Sequence, residues 1–160
     1  NKSYGTIQHQ LRDAHYSRVL FWRRRSRRIY GEEKEMSWTS PYFTADEMKC
    51  SHTGLEMMDP DFMQQLTLLR EAWGKPMVIT SAYRHATHPI EARKDKPGAH
   101  ATGRAVDIAV QGEDAINLLE LILLHDFTGV GIQQKGSGRF IHIDNLQGQE
   151  GWPRPTIWSY

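Results

Sequence analysis

The sequence of 160 residues predicts an α+β fold in which helices flank a small antiparallel sheet. Two observations favour this class. Segments with the apolar period of a helix alternate irregularly with short β-branched segments, unlike the regular order of a parallel α/β protein. The turn sequence GSG (136–138) joins two of the short segments as a hairpin, and a hairpin makes its two strands antiparallel.

Two helices are predicted in the first part of this fold. Thr44 and Glu47 have the spacing of a capping box, so a short helix begins in TADEM (44–48). Asp59 is the predicted N-cap of a longer helix, with Pro60 at its first position and Gly74 at its end. Apolar side chains recur along it at helical spacing: Phe62, Leu66, Leu69 and Trp73.

The remainder is predicted to form four short strands and one further helix. The strands are PMVITSAYR (76–84), RAVDIAV (104–110), GVGIQQ (129–134) and RFIHIDNL (139–146). The helix is EDAINLLELILLHDF (113–127). A polar loop (85–103) follows the first strand, and loops of this length are usually functional or mobile. We expect the C-terminal GWPRPTIWSY (151–160) to pack across the domain, with recognition of glycan strands as the alternative.

Charge divides the sequence near Met36. Residues 1–35 carry nine Lys and Arg against four Asp and Glu, whereas residues 36–160 are net acidic, and the whole chain has a net charge of +1. We interpret residues 1–35 as a basic extension that is disordered or translated from a leader, and residues 36–160 as one domain. The basic stretch SRVLFWRRRSRR (17–28) is also suited to anionic surfaces, although we expect no nucleic-acid partner.

Several classes of protein are excluded. No run of 18 apolar residues predicts a transmembrane segment, and no export signal is recognisable, so we expect a soluble, cytoplasmic monomer. Cys50 is the single cysteine, which excludes an internal disulfide and every zinc site made of several cysteines. Any metal must therefore be bound by histidine and carboxylate side chains.

Strand periodicity places chemically capable side chains on one face of the sheet. Asp107 lies on the face opposite the apolar residues of its strand, and His142 and Asp144 share the corresponding face of RFIHIDNL. His100 lies in the loop that enters the strand of Asp107. Two imidazoles and one carboxylate suit a catalytic zinc site with a position left for water, and a hydrogen-bonded structural cluster is the alternative.

Three motifs resemble those of the zinc D-alanyl-D-alanine carboxypeptidase-like metallopeptidases. GAHATGRAVDIAV (98–110) resembles their Ser-x-His-x-x-Gly-x-Ala-x-Asp motif, ITSAYR (79–84) their Ser-Gly-Tyr-Arg strand, and RFIHIDNL their Phe-Val-His-Val-Asp strand. YFTADEMKC (42–50) is similar to the opening of many phage and bacterial members. The resemblance covers about residues 42–145 and implies the fold shared with the hedgehog domain, with Zn²⁺ bound by His100, Asp107 and His142.

The resemblance also implies substrate contacts. Arg84 would face the cleft and hold a substrate carboxylate or carbonyl, a task suited to a fixed guanidinium fork, with Tyr83 and His88 as further substrate contacts. Gly98 replaces the serine that begins the family's histidine motif, which loosens the loop before His100.

The general base is where this sequence departs most from the family. Many relatives have Asp or Glu three residues before the last histidine, and here that residue is Arg139. Asp144 is the substitute candidate for activating water, and its alternative role is to support a histidine ligand. Glu91 and Asp95 are more remote candidates.

The activity implied is hydrolysis of amide bonds in peptidoglycan stem peptides by metal-activated water, as a D,D-carboxypeptidase or endopeptidase or an L-Ala-D-Glu peptidase. Small size and the lack of an export signal favour an endolysin of the phage type, which would reach the cell wall after a holin opens the membrane. The alternative is a non-catalytic, zinc-containing cell-wall binding module of the same fold, which Arg139 in the base position keeps open.

Overall fold

A computed structural model describes residues 37–148 and 152–160, which form a five-stranded sheet with helices against its apolar face. The predicted N-terminal extension, residues 1–35, lies outside the described residues. The three α-helices of the described chain are α1 (Ala45–Met48), α2 (Pro60–Trp73) and α3 (Glu113–Leu124). None of the described helices is long and apolar enough to cross a membrane.

The two N-terminal helices begin where the capping signals predict. Thr44 caps α1 in a capping box with Glu47, and the Asp59 side chain accepts hydrogen bonds from the backbone N–H groups of Asp61 and Phe62 at the start of α2. Gly74 ends α2 in the left-handed conformation (φ 70°), which glycine adopts without steric cost.

The sheet confirms the predicted α+β class. Its strands are β1 (Val78–Ser81), β2 (Ala105–Ala109), β3 (Gly129–Gln133), β4 (Phe140–Asp144) and β5 (Thr156–Ser159), in the order β1-β2-β4-β3-β5. The first four strands pair antiparallel, and β3 and β4 form the predicted hairpin.

The C-terminal strand β5 was not predicted from the sequence. It pairs with β3 in the parallel direction, with Gly131 opposite Trp158. The run TIWSY has the β-branched and aromatic residues of a strand, but the prolines just before it favour an irregular segment. Tertiary pairing with the open edge of β3 therefore decides its conformation.

The two faces of the sheet differ as the period-2 pattern predicts. The apolar side chains of β2 and β4 are buried together with those of α2 and α3, and this core includes Val106, Ile108, Ile141, Ile143, Phe62, Leu66, Leu69, Leu118 and Ile122. Asp107, His142 and Asp144 project from the opposite face because they alternate with these core residues. The helical side is thus the core, and the other side carries the polar groups.

Candidate metal centre

The register of β2 and β4 brings two of the predicted ligands together. Asp107 and His142 are direct partners across this antiparallel pair. Asp107 Oδ1 lies 2.8 Å from His142 Nδ1 and 3.2 Å from His100 Nε2, and the two histidine nitrogens are 3.1 Å apart. All three residues are buried. Side chains separated by up to 42 positions in the sequence therefore meet at one point.

His100 is positioned by a short 3₁₀-helix, Ala99–Thr102, within the predicted loop. Gly103 ends this helix with φ 71°, and its N–H donates to the His100 carbonyl. A Cβ at position 103 would overlap the backbone carbonyl of Met57, so only glycine fits there. The glycine that follows the histidine in the motif thus has a steric role in directing His100 towards β2.

In each of the three side chains, the nitrogen or oxygen atom that does not face the shared point makes a further hydrogen bond. His100 Nδ1 lies 2.7 Å from the Ala82 carbonyl, and His142 Nε2 lies 3.2 Å from Asp144 Oδ2. Asp107 Oδ2 accepts a hydrogen bond of 2.8 Å from Arg84 Nη2. A bound cation would require the protons to lie on these outer nitrogens, which would free the lone pairs of His100 Nε2 and His142 Nδ1 to face the cation together with Asp107 Oδ1.

The electrostatics of the three residues suit a cation. Burial lowers the pKa of His100, although Asp107 opposes this shift, so the neutral imidazole is favoured. Burial alone would raise the pKa of Asp107, but its hydrogen-bond contacts with the His100 and His142 rings hold that pKa well below its usual range. Burial also disfavours the charged form of His142, yet its hydrogen bonds to Asp107 and Asp144 raise its pKa overall. The result is an anionic carboxylate beside His100, whose neutral form is favoured, and His142, whose protonated form is stabilised by the two carboxylates.

The donor set fits zinc. Its one oxygen and two nitrogen atoms lie within 4.8 Å of one another. Tetrahedral zinc with bonds of about 2.0 Å separates its ligand atoms by about 3.3 Å, and the observed separations of 2.8–3.2 Å are close to this value. Three protein ligands also leave a fourth position, as in catalytic rather than structural zinc sites.

Arg84 lies beside the metal ligands and is fixed on three sides. It donates to Asp107 through Nη2, to Ser81 Oγ through Nε at 2.8 Å, and to Glu91 Oε1 through Nη1 at 3.3 Å. The Glu91 side chain is fully buried and also binds Lys94 and the Gly98 N–H. Glu91, a remote candidate for the base, is therefore placed behind Arg84 and anchors the predicted loop to it.

Asp144 lies on the far side of the His142 ring from Nδ1, the nitrogen that faces Asp107. Its fully buried carboxylate is bound in a fork by Arg154, with Nε at 2.8 Å from Oδ1 and Nη2 at 2.7 Å from Oδ2. Burial would raise the pKa of Asp144, but hydrogen bonds from His142 and Arg154 lower it to about 2. Of the two roles that the sequence leaves open, this placement favours support of His142.

Arg154 and Trp158 are site residues that the sequence analysis missed. Trp158 packs against His142 with ring centroids 5.3 Å apart. The available signal was the pair of glycines in GVGIQQ: Gly129 leaves room for the Asp144 carboxylate, and Gly131 for the Trp158 indole. Nothing local to the C-terminal sequence connects it to the ligands.

The contacts of the other predicted site residues are with side chains and backbone groups other than the three ligands. The structure buries Tyr83 as part of the hydrophobic core. His88 has its ring edge-on to His52, and its Nδ1 accepts from the Ile90 N–H. Arg139 and Asp95 are exposed, and Arg139 donates to the Gly136 carbonyl in the β3–β4 hairpin.

Comparison with known proteins adds a family match. The family described as peptidase M15 matches residues 41–144, a span that contains Arg84 and the three candidate ligands. No curated protein matches the chain significantly. Strand β5, with Trp158 and the preceding Arg154, lies beyond the matched residues.

Proposed function

Since this chain belongs to the peptidase M15 family of metallopeptidases, we propose that it hydrolyses amide bonds in bacterial peptidoglycan peptides with a zinc ion as cofactor. The observation that carries this proposal is the convergence of His100, Asp107 and His142 on one buried point. Peptidoglycan as the substrate is supported by the resemblance of three ordered motifs to those of the D-alanyl-D-alanine carboxypeptidases.

The three ligands would hold zinc through Nε2 of His100, Oδ1 of Asp107 and Nδ1 of His142. Bound there, zinc supplies acidification of a water molecule and polarisation of the scissile carbonyl. The Ala82 carbonyl and the Arg84 guanidinium keep the donor atoms of His100 and Asp107 turned towards the site. These contacts set the geometry before any substrate arrives.

Arg84 is our candidate for orienting the substrate. Its three hydrogen bonds engage three of its five N–H groups, and its side chain remains 15% exposed. The remaining N–H groups can donate to a carbonyl or terminal carboxylate of the peptide. Because Ser81, Glu91 and Asp107 fix the guanidinium, little side-chain entropy is lost when the substrate binds.

A non-catalytic zinc module is the second candidate function. It is favoured by the absence of a free carboxylate beside the three ligands in the described part of the chain, since Asp144 is bound by Arg154 and Arg139 occupies the usual base position. Such a module would bind zinc and cell-wall peptides without cleaving them.

The test is digestion of purified peptidoglycan, with release of new amino groups and mass analysis of the products. The protein is stripped with a chelator, restored with Zn²⁺, and compared with Asp107→Asn. Asp114→Asn is the matched control because Asp114 is exposed on α3, where it pairs with Lys75. We expect cleavage by the restored wild type and the control, and loss of zinc and cleavage in Asp107→Asn.

Two results would contradict the proposal. One bound zinc per chain without cleavage of any peptide would favour the binding module. A wild type that binds no zinc would contradict both functions. The masses of the products would also identify the bond, and the lytic, phage-type role predicted from the sequence would need a separate assay on intact cells.

A further inference from the structure

We propose that the C-terminal segment, residues 152–160, completes the metal centre: Arg154 acts as a positioning residue that holds Asp144, and Asp144 in turn orients His142. This inference rests on the proposed zinc site and adds to it a segment outside the matched family region. It also gives Asp144 a role other than general base.

The first step is the environment of the Asp144 carboxylate. Four N–H groups surround it: Nε and Nη2 of Arg154, the backbone N–H of Leu146 at 3.2 Å, and Nε2 of His142 at 3.2 Å. The side chain has no exposed surface. Both oxygens are therefore occupied, and they lie at Nε2 of His142, on the opposite side of the ring from Nδ1, the nitrogen that would hold the metal.

The second step is the consequence for His142. A carboxylate on the outer nitrogen of a histidine ligand fixes its tautomer and ring orientation and increases its basicity, and loss of such a partner typically weakens metal binding about 10–100-fold. Asp144 supplies this carboxylate to His142 as Ala82 supplies a carbonyl to His100. Because Asp144 is charged and the Ala82 carbonyl is neutral, Asp144 increases the basicity of His142 more than the carbonyl increases that of His100.

The third step is why the C-terminal segment is needed. Burying a carboxylate costs folding free energy unless the carboxylate is paired with a cation. Among the described residues, Arg154 pairs with Asp144 in bidentate geometry, and its side chain is 9% exposed. Arg154 comes two residues before β5, which pairs with β3, and its guanidinium carbon lies 5.4 Å from the centroid of the Trp158 ring in that strand. Strand β5 thus helps to position the Arg154 guanidinium, and this guanidinium holds the Asp144 carboxylate.

The fourth step is the space that β3 provides. Gly129 lies opposite Asp144, and a Cβ there would overlap the carboxylate. A Cβ at Gly131 would lie 2.7 Å from the Trp158 indole. Both glycines are on the site face of β3, so this face is shaped to accept side chains from β4 and from β5.

The experiment measures zinc affinity by competition with a chelator, together with circular dichroism of each variant. Arg154→Lys keeps the positive charge but loses the fork, and we expect its zinc Kd to rise about tenfold or more. Arg70→Lys is the matched control, because Arg70 is a half-buried arginine on α2 that packs on Tyr42. Its zinc Kd should stay at the wild-type value.

A double-mutant cycle of zinc affinities, with Asp144→Asn, Arg154→Gln and the two changes combined, tests whether Arg154 acts through Asp144. If it does, Asp144→Asn combined with Arg154→Gln should lose no more affinity than Asp144→Asn alone. This double variant removes both charges, so it avoids a buried unpaired ion and keeps the test usable if Arg154→Lys does not fold.

The outcomes separate this inference from the proposed function. A wild type without zinc would overturn both. A zinc-binding wild type with unchanged affinity in folded Arg154→Lys, or in the folded double variant, would overturn the positioning role alone. Losses that add in full across the cycle would show that Arg154 does not act through Asp144.

Discussion

Replacement of Glu91 by alanine should destabilise the fold strongly, although Glu91 touches none of the three candidate ligands. The Glu91 carboxylate accepts from Arg84 Nη1, from Lys94 Nζ at 2.9 Å, and from the Gly98 N–H at 2.7 Å. Removing one partner of a buried ion pair typically costs about 3–5 kcal/mol. We expect about 3 kcal/mol, the low end, because Lys94 is 39% exposed and can be rehydrated, and Arg84 keeps Asp107.

The assay is urea unfolding followed by circular dichroism, with thermal unfolding as a second measure. A loss of about 3 kcal/mol corresponds to a fall in Tm on the order of 10 °C for a domain of this size. Glu120→Ala is the control, since Glu120 is exposed on α3 and alanine is a good helix former. Equal unfolding midpoints for Glu91→Ala and Glu120→Ala would refute the proposed energetic role of the buried network.

The same residue predicts a dependence on pH. Burial would raise the pKa of Glu91, but hydrogen bonds from Gly98 and Lys94 and the charge of Lys94 hold that pKa below its ordinary value. A lowered pKa in the folded state contributes stability above about pH 4.5, and this contribution is lost as the pH falls through the folded value. The stability difference between wild type and Glu91→Gln should therefore shrink on acidification, and a constant difference from pH 7 to pH 3 would contradict this.

Three further predictions concern the sheet, a helix and the metal. Gly131→Ala should lower the unfolding free energy by about 1–3 kcal/mol, because the new methyl group displaces Trp158, and an unchanged Tm would contradict this. Asp59→Ala should cost about 1 kcal/mol in urea unfolding through loss of the α2 N-cap, whereas Asp61→Ala, which removes a first-turn side chain that caps nothing, should cost less. Free Zn²⁺ at 100 times its Kd should stabilise the wild type by about 2.7 kcal/mol, and a similar gain in Asp107→Asn would place the zinc elsewhere.

The fold was largely predictable because its signals are local. The Thr44 capping box and the Asp59 and Gly74 caps specify helix ends within a few residues of sequence, and all three are confirmed. The alternation in RAVDIAV and RFIHIDNL assigns each side chain to a face once the strands are known. Strand β5 escaped prediction because its conformation depends on the edge of β3, which is distant in the sequence.

The candidate site divides in the same way. Periodicity places Asp107 and His142 each on the polar face of its strand but leaves a structural cluster as the alternative, and the resemblance of the three motifs is what implies that His100, Asp107 and His142 bind a metal. Their outer partners were not predictable. A carbonyl from Ala82, a guanidinium from Arg84 and a carboxylate from Asp144 reach these ligands only through tertiary packing.

The sequence by itself therefore determined the fold class, since this follows from short-range periodicity and turn signals, and its motifs implied the three candidate donor side chains through their resemblance to a known family. Only the tertiary structure decided which carboxylates are already bound by cationic side chains. Asp144 lies two residues from His142 in the sequence, which suggests a base, yet Arg154 binds it from behind the ring. A carboxylate's function depends on what surrounds it in space, and here those neighbours come from a strand at the far end of the chain.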